Sequence, residues 1–203
     1  MEPDNLMTSD EELARQSQAG SMAAFEELVR RYERRIYTFA ARCGGAGDAS
    51  EVTQDTFVRA YEALGDFDAR RSFGAWLFTI ARRKCIDRHR LSGPVLVEVP
   101  ELVELDNPAE QLAREEDEAA IWNRAARLLP PPQYEALWLR YAEEMSVVEI
   151  SRVLRKTKTH VKVLLFRARK TLIRHLGAKA RRGAPVPAAQ PLGLAIPGRE
   201  QSL

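Results

Sequence analysis

The sequence predicts an all-α protein of two small helical domains joined by an acidic linker, and three observations carry that expectation. Apolar residues recur at spacings of three and four along most of the 203 residues, with almost no alternation at two. Glycines, prolines and capping residues cut this pattern into helix-length pieces. A run of acids and prolines over 93–118 separates the pieces into two groups. With 45% hydrophobic and 30% charged residues the chain has the composition of a folded protein able to bury a core.

The elements follow in order. Ser9 caps a short helix that stops near Gly20, inside an N-terminal segment over 1–20. A longer helix runs from about Ser21 to Cys43 and ends at Gly44-Gly45. Asp48 followed by Glu51 has capping-box spacing and opens a third helix, which stops at Gly65. Ser72 caps a fourth, FGAWLFTIARRKCIDRHR, which ends before Gly93-Pro94 and closes a domain over 21–92. The linker over 93–118 carries nine acids against Arg114 alone, about eight net negative charges, and Asn107-Pro108 resembles a helix start within it. A second helical domain spans 119–177. Pro130-Pro131-Pro132 precedes a helix of QYEALWLRYAEE, and Ser146-Val-Val-Glu149 is a capping box for a short one. A polar turn, RKTK, then leads into a long helix closed by Gly177. The Pro-, Gly- and Ala-rich tail over 178–203 reads as disordered.

Several classes are excluded by what the sequence lacks. Cys43 and Cys85 lie far apart with no Cys-x-x-Cys spacing, so neither a disulfide scaffold nor a zinc ribbon is expected. His89, His160 and His175 show no ligand spacing with them, and no phosphate-cradling glycine loop occurs, so no cofactor, metal or catalytic activity is expected. The acidic start MEPDNLMTSDEE is the opposite of a signal peptide, and no run approaches the ~20 apolar residues of a membrane span. The expectation is a cytoplasmic protein without membrane insertion.

The formal net charge of +2 conceals segregation. Over 151–182 there are about twelve basic residues and no acid, the electrostatic footprint of a nucleic-acid-binding element. A second cluster comprises Arg70, Arg71, Arg82, Arg83, Lys84, Arg88 and Arg90, with Asp87 against it. Two helices joined by the RKTK turn have the form of a helix-turn-helix, whose second helix enters the major groove. On that helix Val161, Leu165, Ala168, Leu172 and Leu176 share the face that packs on Val147, Ile150, Val153 and Leu154. Thr159, Arg167, Lys170 and Arg174 lie opposite, together with Val163, Phe166 and Ile173. Those three apolar residues suit either thymine methyl groups or a protein partner.

The first domain offers two further surfaces. The third helix buries Thr53, Phe57, Ala60 and Leu64. Its other side, Glu51, Gln54, Asp55, Val58 and Glu62, is acidic with an apolar centre, suited to a basic partner helix or to solvent. On the fourth helix Trp76 lies beside Arg83, and Phe73 belongs to the core. Aromatics beside cations suit single-stranded nucleic acid, and the loop GDFDARRS ahead of them is polar enough to receive an unstacked base.

In this order and spacing the motifs resemble the extracytoplasmic-function group of bacterial sigma-70-family RNA polymerase sigma factors, over roughly residues 13–176. AFEELVRRYERRIYTFAAR resembles the family's opening helix, GDASEVTQDTFVRAYEAL its polymerase-clamp-binding helix, and FGAWLFTIARRKCIDRHR its promoter-melting helix. LLPPPQYEALWLRYAEEMSVVEISRVL with FRARKTLIRHL resembles the domain that reads the upstream promoter element. Departures are Arg83 where the family usually has Asn and Arg155 for a turn glycine. Thr159-His160 stand for Gly-Thr, and Val163-Leu164 for a Ser-Arg pair, which removes two DNA contacts.

The resemblance implies a non-catalytic promoter-specificity subunit whose partners are core RNA polymerase and promoter DNA, single-stranded and duplex, with room for an anti-sigma factor. It implies a polymerase-binding set of Asp48, Glu51, Gln54, Asp55 and Val58. The minus-ten set is Asp66, Phe67, Arg70, Arg71, Trp76, Arg82, Arg83, Lys84, Arg88 and Arg90. The minus-thirty-five set is Lys158, Thr159, His160, Lys162, Arg167, Arg169 and Lys170. By resemblance, the linker threads towards the polymerase active centre. The alternative is a stand-alone helix-turn-helix regulator, which accounts for the second domain but not for the acidic helix or the basic–aromatic one.

Overall fold

The computed structural model describes residues 8–43, 46–92 and 121–183, and every regular element among them is helical. The helices are α1 (Asp10–Gln18), α2 (Met22–Cys43), α3 (Ala49–Glu62), α4 (Phe73–Ser92), α5 (121–128), α6 (Pro131–Tyr141), α7 (Val147–Val153) and α8 (Lys158–Gly183). The expected linker, with the Asn107-Pro108 helix start, and the tail beyond Gly183 lie outside the described residues.

Local chemistry sets most of the boundaries. The Glu12 N–H donates to the Ser9 hydroxyl at 3.2 Å, and Asp10, Glu11 and Glu12 place negative charge at the positive end of the α1 dipole. The Ala75 N–H donates to Ser72 in the same way at the start of α4. Ser146 and Glu149 form the full capping box of α7. Two expectations fail. Asp48 precedes α3 but caps nothing, because a 3-10 turn over Ala46–Asp48 already winds into the helix and leaves Asp48 with helical dihedrals. Gly177 does not end α8, which continues to Gly183 through six residues expected in a disordered tail. One interior glycine costs a helix only about 1 kcal/mol, and the Ala, Lys and Arg residues after it are strong helix formers.

α1–α4 share one core. The α2 stripe of Phe25, Leu28, Tyr32, Ile36 and Phe39 is its spine, buried against Val52, Thr56, Phe57 and Ala60 of α3 and Phe73, Leu77, Phe78 and Ala81 of α4. Phe39 meets Phe78 edge-on at 5.2 Å. α1 belongs to the same unit. Its Asp10 accepts from Tyr32 (2.6 Å) and Arg31 (2.8 Å), and Gln18 donates to the carbonyls of Leu64 and Phe67 at 2.8 Å each. Gly74 lies so close beneath Tyr32 that a Cβ there would come within 2.9 Å of the phenol oxygen.

α5–α8 form the second unit. Pro131 and Pro132 occupy the first turn of α6, where no N–H is needed. Trp122, Tyr134 and Trp138 form an aromatic cluster between α5 and α6, with the two indoles 4.8 Å apart. Ile150, Val153 and Leu154 are buried with Val161, Leu164, Leu165 and Ala168, which fixes α7 across α8. The two units also touch: α4 packs on α7. Arg82 donates to Glu135 at 2.7 Å and Arg35 to Glu143 at 2.9 Å.

Candidate polymerase- and promoter-binding surfaces

The α3 surface follows from its buried stripe. With Val52, Thr53, Thr56, Phe57 and Ala60 turned inward, Glu51, Gln54, Asp55 and Val58 face outward, and Val58 is 53% exposed. Tyr61, half exposed, adds an aromatic edge held against Phe25 at 5.0 Å. The acids are not wholly free. Arg88 of α4 reaches both Asp48 (3.3 Å) and Glu51, and Lys84 lies 3.3 Å from Asp55. Lys84 and Arg88, expected against the minus-ten strand, are therefore turned to the α3–α4 seam, where opposite charges meet.

The loop ahead of α4 divides its residues sharply. Asp66, Arg70 and Arg71 are exposed. Asp68 gathers both arginines, at 2.9 and 3.6 Å, and the Arg70 guanidinium bonded to it holds its carboxyl down at about 2. Phe67 is the correction: it is 5% exposed, its ring 5.6 Å from Phe73 and 5.0 Å from Trp76. Burial of its large apolar surface outweighs any stacking on a base, so Phe67 supports the loop from below. Trp76 rests half-buried on Phe67 and Phe73.

On α4 itself Arg83 and Arg90 are exposed, and Arg82 is not. The Arg82 side chain is 17% exposed and bound to Glu135, itself 12% exposed, so it joins the two units instead of presenting a phosphate contact. Arg83, Arg90 and Arg155 line a cleft between α4 and the end of α7. Cys85 is core, and burial with nearby Glu135 pushes its thiol up to about 12, far from the range of a reactive thiolate.

α8 presents the most strongly basic surface. Its first turn is capped by Thr157, whose hydroxyl accepts from the His160 N–H at 3.2 Å. Lys158, Thr159, His160, Lys162, Arg167, Arg169 and Lys170 are all exposed, and Arg169 reaches the Leu165 carbonyl at 3.3 Å and the Tyr141 hydroxyl at 3.5 Å. Leu164 is a second correction. It is 6% exposed and packs in the core, so it does not stand where a DNA-contacting side chain would. Val163, Phe166 and Ile173 are exposed by 39%, 60% and 72%.

Sequence reasoning missed Arg35, Glu135 and Glu143, whose ion-pair partners lie 53 or more residues away, and no local pattern marks them. The Thr157 cap was readable, as a hydroxyl residue just ahead of an apolar-periodic run. Among the described residues no group of three His, Cys, Asp or Glu side chains could hold a metal ion, and no helix is long and apolar enough to cross a membrane.

Known proteins place the chain in a family. Residues 28–93 match the model for sigma-70 region 2, and residues 120–172 that for sigma-70 region 4. The chain is 36% identical to the extracytoplasmic-function RNA polymerase sigma factor BldN of Streptomyces coelicolor, over 84% of this chain and 67% of that one. It is 30% identical to the RNA polymerase sigma-H factor of Pseudomonas aeruginosa, over 80% and 91% respectively. Among solved structures it is similar to CnrH in complex with the cytosolic domain of CnrY, at 31% identity and a TM-score of 0.58, covering 83% of this chain and 97% of that one. α2–α4 thus correspond to region 2 and α5–α8 to region 4, and the chain belongs to the extracytoplasmic-function sigma factors of the sigma-70 family.

Proposed function

We propose that this sigma factor docks on core RNA polymerase through the outward face of α3 and holds promoter DNA at two separate surfaces. The observation that carries this assignment is the segregation of exposed side chains. Glu51, Gln54, Asp55 and Val58 form an acidic face with an apolar centre, whereas α8 exposes cations and no acid. The first suits a basic helix of a partner, and the second suits duplex phosphates. Between them Asp66, Arg70, Arg71, Trp76, Arg83 and Arg90 offer exposed charge and one aromatic face to an opened minus-ten strand, with Phe67 beneath as support. Lys158, Thr159, His160, Lys162, Arg167, Arg169 and Lys170 take the minus-thirty-five duplex.

The protein does no bond chemistry of its own and works in the cytoplasm, where polymerase and promoter are. CnrH, its structural relative, is solved in complex with the cytosolic domain of CnrY, and a protein domain bound in this way, with an anti-sigma role, is a fitting partner here. A stand-alone regulator would need α8 but has no use for an exposed Val58 set between Asp55 and Glu62.

Run-off transcription with purified core polymerase tests this reading. The full chain is expected to give promoter-dependent transcripts, and Val58→Glu, a change at a half-exposed position, to lose them while remaining folded by circular dichroism. Tight duplex binding with no transcript at any promoter would replace it with the stand-alone regulator.

A further inference from the structure

We infer that the recognition helix α8 reads thymine methyl groups in the upstream promoter element, through Val163 and Phe166. This rests on the assignment of α8 to the minus-thirty-five duplex and adds what it recognises there. At 100° per residue Thr159, Val163, Phe166 and Lys170 fall within an arc of about 60° on the exposed side, with Lys162 on one flank and Arg167 on the other. A helix in the major groove sets its central face against base edges and its flanks against the two phosphate walls. Here the flanks are cationic, while the centre of the first turns is a threonine, a valine and a phenylalanine. Phe166 is 60% exposed and Val163 39%, so both have surface to bury against a partner.

Reading guanine takes a bidentate Arg or Lys at the groove floor, and neither Val163 nor Phe166 has a donor. What an apolar side chain recognises there is the C5-methyl of thymine. Thr159 to Phe166 spans about 10 Å along the helix, about three base-pair steps. The expected target is therefore two or three neighbouring A·T pairs. The buried position of Leu164 supports this geometry, because it fixes which side of α8 points outward. A protein partner seated on the same stripe would have no need of cations on both flanks.

Holoenzyme reconstituted from core polymerase and the full chain would be used to select transcribed templates from a duplex library randomised across the upstream element. Selected templates would then be remade with deoxyuridine for thymidine, which removes the methyl and leaves every hydrogen-bonding group. Each contacted methyl is expected to weaken template use about four-fold, the worth of one buried methyl-sized group. Val163→Ala and Phe166→Ala combined are expected to abolish the difference between thymidine and deoxyuridine templates, lowering use of the thymidine templates to the deoxyuridine level, and each single change to remove part of it. Selected templates used equally well with either base, or full discrimination that survives the combined Val163→Ala and Phe166→Ala change, would overturn the inference and leave the sigma assignment standing. Failure to select any upstream sequence from templates that are nonetheless transcribed would overturn both the inference and the assignment of α8 to the minus-thirty-five duplex.

Discussion

At Arg155, in the turn between α7 and α8, the backbone adopts a φ of 51°. A Cβ in this left-handed region crowds the following carbonyl, at roughly 1–2 kcal/mol. The turn is held there by neighbouring bonds, from the Arg155 N–H to the Arg152 carbonyl (3.2 Å) and from the Lys156 N–H to the Ser151 carbonyl (3.0 Å). Glycine enters the region freely but loses more chain entropy on folding. Arg155→Gly is therefore expected to stabilise the protein by about 1 kcal/mol, seen as a raised urea midpoint with an unchanged slope. An unchanged or lowered midpoint would show that the arginine is accommodated without strain. Arg155 also lines the cleft with Arg82, Arg83, Arg90 and Asp87, so the same substitution removes one of its four cations. A loss of DNA affinity in a stabilised variant would separate its electrostatic role from its structural one.

Elements were legible in the sequence wherever one residue decides a boundary. Ser9, Ser72 and Ser146 each accept a backbone N–H at the first turn of the helix they precede. α7 depends on this most, because seven residues make too few internal bonds to hold a helix and the capping box satisfies two otherwise orphaned N–H groups. Ser146→Ala is expected to cost about 1 kcal/mol and to loosen amide exchange protection in α7 before α6. Equal loss of protection across both would mean that α7 melts only with the whole unit. Side-chain partners were far less legible. Arg82, Lys84 and Arg88 share a basic helix with Arg83 and Arg90, and nothing within α4 says which of them have a partner. Glu135, Asp55, Asp48 and Glu51 decide that from other helices. Phe67 sits in a polar loop yet is buried, since its receptor, Phe73 with Trp76, forms only when α4 folds back beneath it.

Across the whole molecule, the two units meet where α4 packs on α7 and through two ion pairs whose carboxylates are taken out of water. The Glu143 side chain is 2% exposed and accepts from Arg35 and from the Trp138 indole N–H at 3.2 Å, while Arg35 lies over the Tyr32 ring at 4.4 Å. Burial raises the Glu143 carboxyl above its ordinary value of 4.5, and the Arg35 guanidinium and the Trp138 indole only partly oppose this. A raised carboxyl means that the folded state holds a proton the unfolded chain has already released. Stability from this group is thus fully present below pH 4.5 and declines as pH rises through the folded value. Glu27 and Asp68, held near 2 by their arginines, act below their own ordinary values of 4.5 and 3.8, outside that window. Glu143→Gln keeps acceptor and shape without the charge, and is expected to flatten the fall in melting temperature above pH 4.5. Arg35→Ala, which leaves the buried carboxylate with the Trp138 N–H but no counter-charge, should steepen it and destabilise by about 1–3 kcal/mol. Because the pair joins α2 to the segment after α6, both variants should also change hydrodynamic radius in step with stability if the units separate on melting. A radius that stays constant while Arg35→Ala loses stability would place the loss inside the second unit, at the Trp138 bond, and not at the seam.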